Sequence, residues 1–170
     1  MKLRELTRKY IYEKAGIKPG GQVVLNGKLK WVPVMILPAS EQADKSYFIK
    51  SVQAEVDDNG KRSHFSIMIE AIFNAMMLED FTEFLSGTVV KYKPAHKFKY
   101  QNKFESLWEL KHGKKDRIYI YPHTGPCGNY VFFIEAAHKN QTATEKSVRD
   151  HAETEIKRII DSKVMMITKG

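Results

Sequence analysis

The chain is poor in the features that mark several large protein classes. It has a single cysteine, Cys127, so no internal disulfide can form and a reducing, cytoplasmic setting is expected. No stretch approaches the roughly 18 apolar residues of a membrane span, so no membrane partner is expected. The opening MKLRELTRKY lacks the apolar core of a secretory signal. There is no GxxxxGKS/T loop, no GxGxxG after a strand and no HExxH. Cys127 lies in PHTGPCGN with His123 and His138 near in sequence, but one thiol without a CxxC partner is weak support for a nucleophile or a metal site. No metal or other cofactor is expected. Internal repeats and low-complexity tracts are also missing.

What is present is a core and a positive charge. The 170 residues suit one domain, or one with a decorated end, and at 42% hydrophobic and 11% aromatic they can bury a proper interior. The net charge is +8 and the sequence pI about 9.4, which speaks to nucleic acid or an acidic partner rather than to fold. From Lys91 to Arg117 there are nine lysines and arginines against three acids (Glu105, Glu109 and Asp116), a local charge of +6.

Read along the chain, residues 2–16 pattern as a helix with Leu3, Leu6, Tyr10 and Ala15 on one face and Gly16 as its stop. GIKPGG breaks the chain. Asn26-Gly27 then marks a hairpin turn, because both central residues of a type I′ turn need positive φ. Pro33 removes a ladder donor and suggests an edge strand or a bulge. Residues 40–63 read two ways: Ser40 with Glu41 can cap a helix, while Val52, Ala54 and Val56 alternate with polar residues as in a strand, the preferred reading, with DDNGKRS as its turn. Phe65 to Phe84 carries a helical Phe and Met stripe closed by Gly87, read as core. Val89–Tyr100 alternates cations with aromatics. That pattern serves either a lysine-guarded edge strand or a phosphate-tracking strip with stacking rings.

The stretch from Leu107 to Asn140 reads as three short strands, Leu107–Lys111, Arg117–Tyr121 and Tyr130–Ala137, joined by HGKKD and PHTGPCGN. Cations, phenols and an imidazole gather at the ends of this sheet: Lys111, Arg117, Tyr119, Tyr121, His138 and Lys139. RNA cleavage needs a base for the 2′-hydroxyl proton, an acid for the leaving oxygen, and cations for the charge that builds on phosphorus. Taken singly each residue has a plainer role; Arg117, for instance, can pair with Glu109 on the neighbouring strand. After the sheet, Val148, Ala152, Ile156 and Ile159 form the apolar stripe of a helix, with Thr142 and Glu145 at capping-box spacing. VMMI then forms a short strand or an apolar tail.

LWELK, DRIYIY and YVFFIEAAHKNQTAT followed by a helix together resemble the RelE/HigB-like toxins of toxin–antitoxin modules. The likeness covers roughly residues 100–160. Lys111 stands where those toxins usually carry arginine, and Asn140 where they carry a second lysine. The resemblance implies an α+β fold, a small antiparallel or mixed sheet flanked by helices, with the Phe65–Leu85 helix packed on it. It implies a metal-independent mRNA endoribonuclease, free or ribosome-dependent, restrained by an antitoxin protein. Lys111, Arg117, Tyr119 and Lys139 would be its functional positions, with His138 beside them. Lys91, Lys93, Lys97, Lys99, Lys103, Lys114 and Lys115 would bind the RNA backbone. Residues 1–29 would form a helix-and-hairpin extension and residues 30–170 the RelE-like domain. The other reading is a non-catalytic basic protein of a phage or mobile element that binds nucleic acid or a protein through the same sheet.

Overall fold

The computed structural model describes residues 1–18, 27–126, 128–140 and 143–170. The chain opens with a strand, β1 (Lys2–Glu5), and a helix, α1 (Arg8–Ala15). Thr7 separates them: its hydroxyl accepts from the Tyr10 amide at 3.1 Å, and Gly16, at φ 70°, closes the helix in the left-handed region. Then come β2 (Val32–Ile36), a 3-10 turn (Ala43–Lys45), α2 (Tyr47–Glu55), α3 (Asn59–Ala75) and α4 (Phe81–Ser86). Three long strands follow, β3 (Lys91–Tyr100), β4 (Lys103–His112) and β5 (Asp116–Gly125). The chain finishes with β6 (Gly128–His138), α5 (Lys146–Asp161) and β7 (Met166–Thr168).

The strands form one seven-stranded mixed sheet in the order β3-β4-β5-β6-β2-β1-β7. β3 to β6 form an antiparallel meander; β2 joins β6 in parallel, and β1 lies between β2 (antiparallel) and β7 (parallel). Each face is covered differently. Met35, Leu110, Ile118, Ile120, Val131, Phe133 and Ala136 pack under α1–α4, while Leu3, Val34, Leu107, Tyr119, Tyr121, Phe132 and Ile134 pack under α5. Alternate residues of one strand thus serve opposite cores, as the period of two requires. The α5 stripe is as expected: Val148, Ala152, Ile156 and Ile159 are all buried. Among the described residues no helix is long and apolar enough to cross a membrane.

The fold is α+β, as the sequence suggests, but the sheet is larger than the small one expected. Residues 2–5 are strand rather than helix because β1 finds pairing partners on both sides. The strand pattern of Val52, Ala54 and Val56 falls instead on helix α2 and its end: Phe48, Ile49, Val52 and Val56 are buried at helical spacing, whereas Ala54 is exposed. The DDNG segment starts a helix, with Asp58 accepting from the Lys61 amide at 2.8 Å. The Phe65–Phe84 stripe is two helices. The Met76 carbonyl accepts from Lys30 and Trp31 at 2.9 and 3.1 Å, which ends α3, and Asp80 caps α4. Pro33 sits in an interior strand. Its carbonyl accepts from Leu6 at 2.8 Å, so its nitrogen faces the place where β1 turns away into α1. β7 fulfils the short-strand reading of VMMI. The Asn26-Gly27 turn, Cys127 and the Thr142 cap lie outside the described residues wholly or in part.

Candidate functional site

β4, β5 and β6 end together, and their odd-numbered end residues face α5. Lys111 lies opposite Arg117, and Glu109 opposite Tyr119. On the other side, β3 places Lys93 opposite Glu109 and Lys91 opposite Lys111. The centre is Glu109, 2% exposed. Its carboxylate lies 3.4 Å from Lys93 Nζ, 3.4 Å from Arg117 Nε and 3.7 Å from Lys139 Nζ. A buried carboxylate is costly unless cations surround it, and this one has three. Arg117 is itself 3% exposed. Its Nη1 and Nη2 donate to the carbonyls of Asp116 and Lys114 at 2.9 and 3.2 Å, so its guanidinium holds the β4–β5 turn.

Lys93, Lys111, Lys114, Lys115, Arg117, Lys139 and Asn140 line a cavity of about 250 Å³. An adjoining cavity of about 450 Å³ shares Lys93 and adds His96, Glu109, Thr144 and Arg149. Six cations thus enclose the first cavity, and Glu109, beneath them, is a single negative charge. The repulsion leaves its mark on the lysines. Lys111 is held below the ordinary lysine pKa, chiefly by the Arg117 charge. Lys139 is also lowered, chiefly by burial, against the opposing pull of Glu109. An added anion would relieve both effects.

The structure brings together Lys93, Lys111, Lys114, Lys115, Arg117 and Lys139, with Lys91 beside Lys111. The remaining basic residues lie outside the first cavity, although Lys97 contributes to the wall of the adjoining one. A bulge between Pro94 and His96 shifts the β3 register, so that Lys91 and Lys93 share the α5 face with Glu109 and Lys111 while Lys97 and Lys99 turn to the other. Lys97 Nζ there lies 4.8 Å above the Phe104 ring. Lys103 pairs with Tyr100 at the hairpin tip. Tyr119 is 1% exposed within the core under α5, and burial beside Glu109 raises its phenol well above the usual range. Tyr121 is buried too, and its phenol donates to Glu105 at 2.8 Å.

His138 faces away from its chain neighbour Lys139. Its Nδ1 lies 2.7 Å from Asp116 Oδ1, on the α3 face of the sheet. His64 of α3 reaches the other oxygen of the same carboxylate, Nδ1 to Oδ2 at 2.5 Å. His112 sits opposite Asp116 in the register, with its ring 5.2 Å from that of His64. Sequence reasoning missed His64, Asp116, His112 and Arg149. His64 and Asp116 are 52 positions apart, and no spacing rule links them.

No protein-family model, curated protein or solved structure matches this chain.

Proposed function

We propose that the cleft around Glu109 binds the phosphodiester backbone of single-stranded RNA, and that the protein cuts that backbone without a metal. The observation that carries this reading is the density of positive charge: among the described residues, six cations line one small cavity, with the Glu109 carboxylate beneath them. Lysines at a strand rim are phosphate contacts by chemistry, and their clustering supplies the positive potential that phosphorane charge needs. Lys93, Lys111 and Lys114 take the phosphate oxygens. Arg117 and Lys139, anchored on Glu109, fix the cleft's shape and field. Cleavage by 2′-hydroxyl attack leaves a 2′,3′-cyclic phosphate, or the 3′-phosphate derived from it.

The LWELK, DRIYIY and HKN motifs, which resemble those of RelE/HigB-like toxins, each contribute a residue to this cleft, Lys111, Arg117 and Lys139, and that convergence supports a toxin of that kind. An antitoxin protein is then the natural protein partner, and mRNA, on or off the ribosome, the substrate. A second reading has its own observation. Arg117 and Lys139 are almost wholly buried, which suits a cleft that holds an RNA strand without cutting it.

The test is end-group analysis of single-stranded RNA incubated with the purified chain in a chelator, beside Lys111→Gln. The expected result is cyclic-phosphate ends from the wild type and at least about tenfold less cleavage from the variant. Salt-dependent binding with intact RNA favours the second reading, and absence of binding at low salt rules out both.

A further inference from the structure

We propose that His64 and His138 are the proton-transfer pair of this site and that Asp116 positions both; the inference rests on the phosphodiester reading of the adjoining cleft. Three strands end at this rim, and each contributes a neighbouring pair split across the sheet. Lys111 and His112 end β4, Asp116 and Arg117 begin β5, and His138 ends β6 just before Lys139. The cation of each pair lines the cleft, and the other member belongs to the histidine–aspartate cluster.

The geometry defines what the two rings can do. Asp116 is buried, and its carboxylate can only accept, so each imidazole donates its Nδ1–H to it. That leaves Nε2 on each ring to exchange protons with a substrate. The rings themselves are open, with 39% of the His64 side chain and 25% of the His138 side chain exposed. The β4–β5 turn ties this cluster to the cleft. Gly113, at φ +73°, lies so close to the His64 ring that an added Cβ would stand 2.8 Å from its Cε1. The next two residues are Lys114 and Lys115 of the cation cavity. The His64 ring therefore packs against the same turn that carries those lysines.

The reaction balances on two imidazoles. A neutral Nε2 takes the 2′-hydroxyl proton as the 2′-oxygen bonds to phosphorus. The P–O5′ bond breaks, and the leaving oxygen receives a proton from the other ring, protonated at Nε2. One ring gains a proton and the other loses one, and exchange with water restores the pair. Imidazole serves both roles because its Nε2 can accept a proton when neutral and donate one when protonated. The charged and titratable groups around His64 are Asp116 of β5, His138 of β6, which shares that carboxylate, and His112 of β4.

The experiment measures affinity for a single-stranded RNA oligonucleotide at low salt, and single-turnover cleavage across pH, for wild type, His64→Gln, His138→Gln and Asp116→Asn. Both histidine variants should keep affinity within about twofold and lose about 100-fold or more in cleavage, each flattening one limb of a bell-shaped profile. Asp116→Asn should shift both limbs, which a purely structural role would not do. His64→Asn replaces His64→Gln if the latter unfolds. Wild-type cleavage by His64→Gln, or binding lost in step with cleavage, overturns the proposal alone. A wild type that binds RNA but does not cut it overturns the proposal and leaves the RNA-binding part of the cleft reading standing. A wild type that does neither overturns both.

Discussion

The two faces of the sheet are built on different physics. Under α1–α4 the core is broad and almost wholly apolar, with Phe133 against both Phe48 and Phe73. Under α5 a single amphipathic helix covers a strip that, toward the β4–β5–β6 rim, gives way to buried charge: Glu109, Arg117 and Lys139. The first face stabilises by removing area from water. The second spends some of that stability to hold ions where a polyanion can reach them, since buried charges rarely add to stability. One chain thus separates scaffold from site without a second domain, and the separation runs through the alternation of its strands. The rim is where the faces meet, and there the scaffold side also turns polar, with Asp116 between two histidines.

The comparison can be broken at several points. Phe133→Ala opens a void between Phe48 and Phe73 and should cost about 3–5 kcal/mol in denaturant unfolding. RNA affinity of the molecules that remain folded should be unchanged, because the cleft lies on the other face. Glu109→Gln removes the buried carboxylate that Lys93, Arg117 and Lys139 share, for a loss of about 3 kcal/mol. Here RNA should matter: it should raise the thermal midpoint of Glu109→Gln by more than that of wild type, while Phe133→Ala should show no such excess.

Glu135, opposite Tyr119 in the register, gives a smaller and pH-dependent effect. Burial, with Glu55 and Glu145 adding repulsion, raises its pKa from 4.5 to about 7. The folded state therefore binds this proton more tightly than the unfolded chain does. Stability is complete below the unfolded value and falls as pH rises toward the folded one. Glu135→Gln should then stabilise by about 1 kcal/mol near pH 8 and have little effect near pH 4, in parallel denaturation curves. A gain of equal size at both values would remove Glu135 from the account.

Much of the meander was legible in the sequence, and the reason is local. Ile118 and Ile120 alternate with Arg117, Tyr119 and Tyr121, and the α5 stripe repeats at helical spacing; neither needs a distant partner to be recognised. The helices of residues 47–63 were missed because Val52, Ala54 and Val56 imitate a strand, although Phe48, Ile49, Val52 and Val56 fit a helix and Ser46 caps it, accepting from Ile49 at 3.3 Å. β1 was misread because four residues become a strand only when β2 and β7 flank them. Within the site, charge clustering pointed to Lys111, Arg117 and Lys139, but two features were invisible. The β3 bulge that turns Lys97 and Lys99 away is a single extra residue in the ladder. The His64–Asp116–His138 bridge joins three elements that only the finished sheet brings together.

The central claim is that RNA backbone lies against the cations around Glu109, and the direct measurement is a salt titration of binding. A labelled single-stranded oligonucleotide is followed by anisotropy with wild type and with a Lys93→Gln, Lys111→Gln, Lys114→Gln triple variant. Affinity of the wild type should fall linearly in log–log form. The triple variant should bind at least about tenfold more weakly at low salt, with a slope shallower by about 2, close to 0.7 per lost phosphate contact. Equal affinity and equal slope for the two proteins would contradict the account.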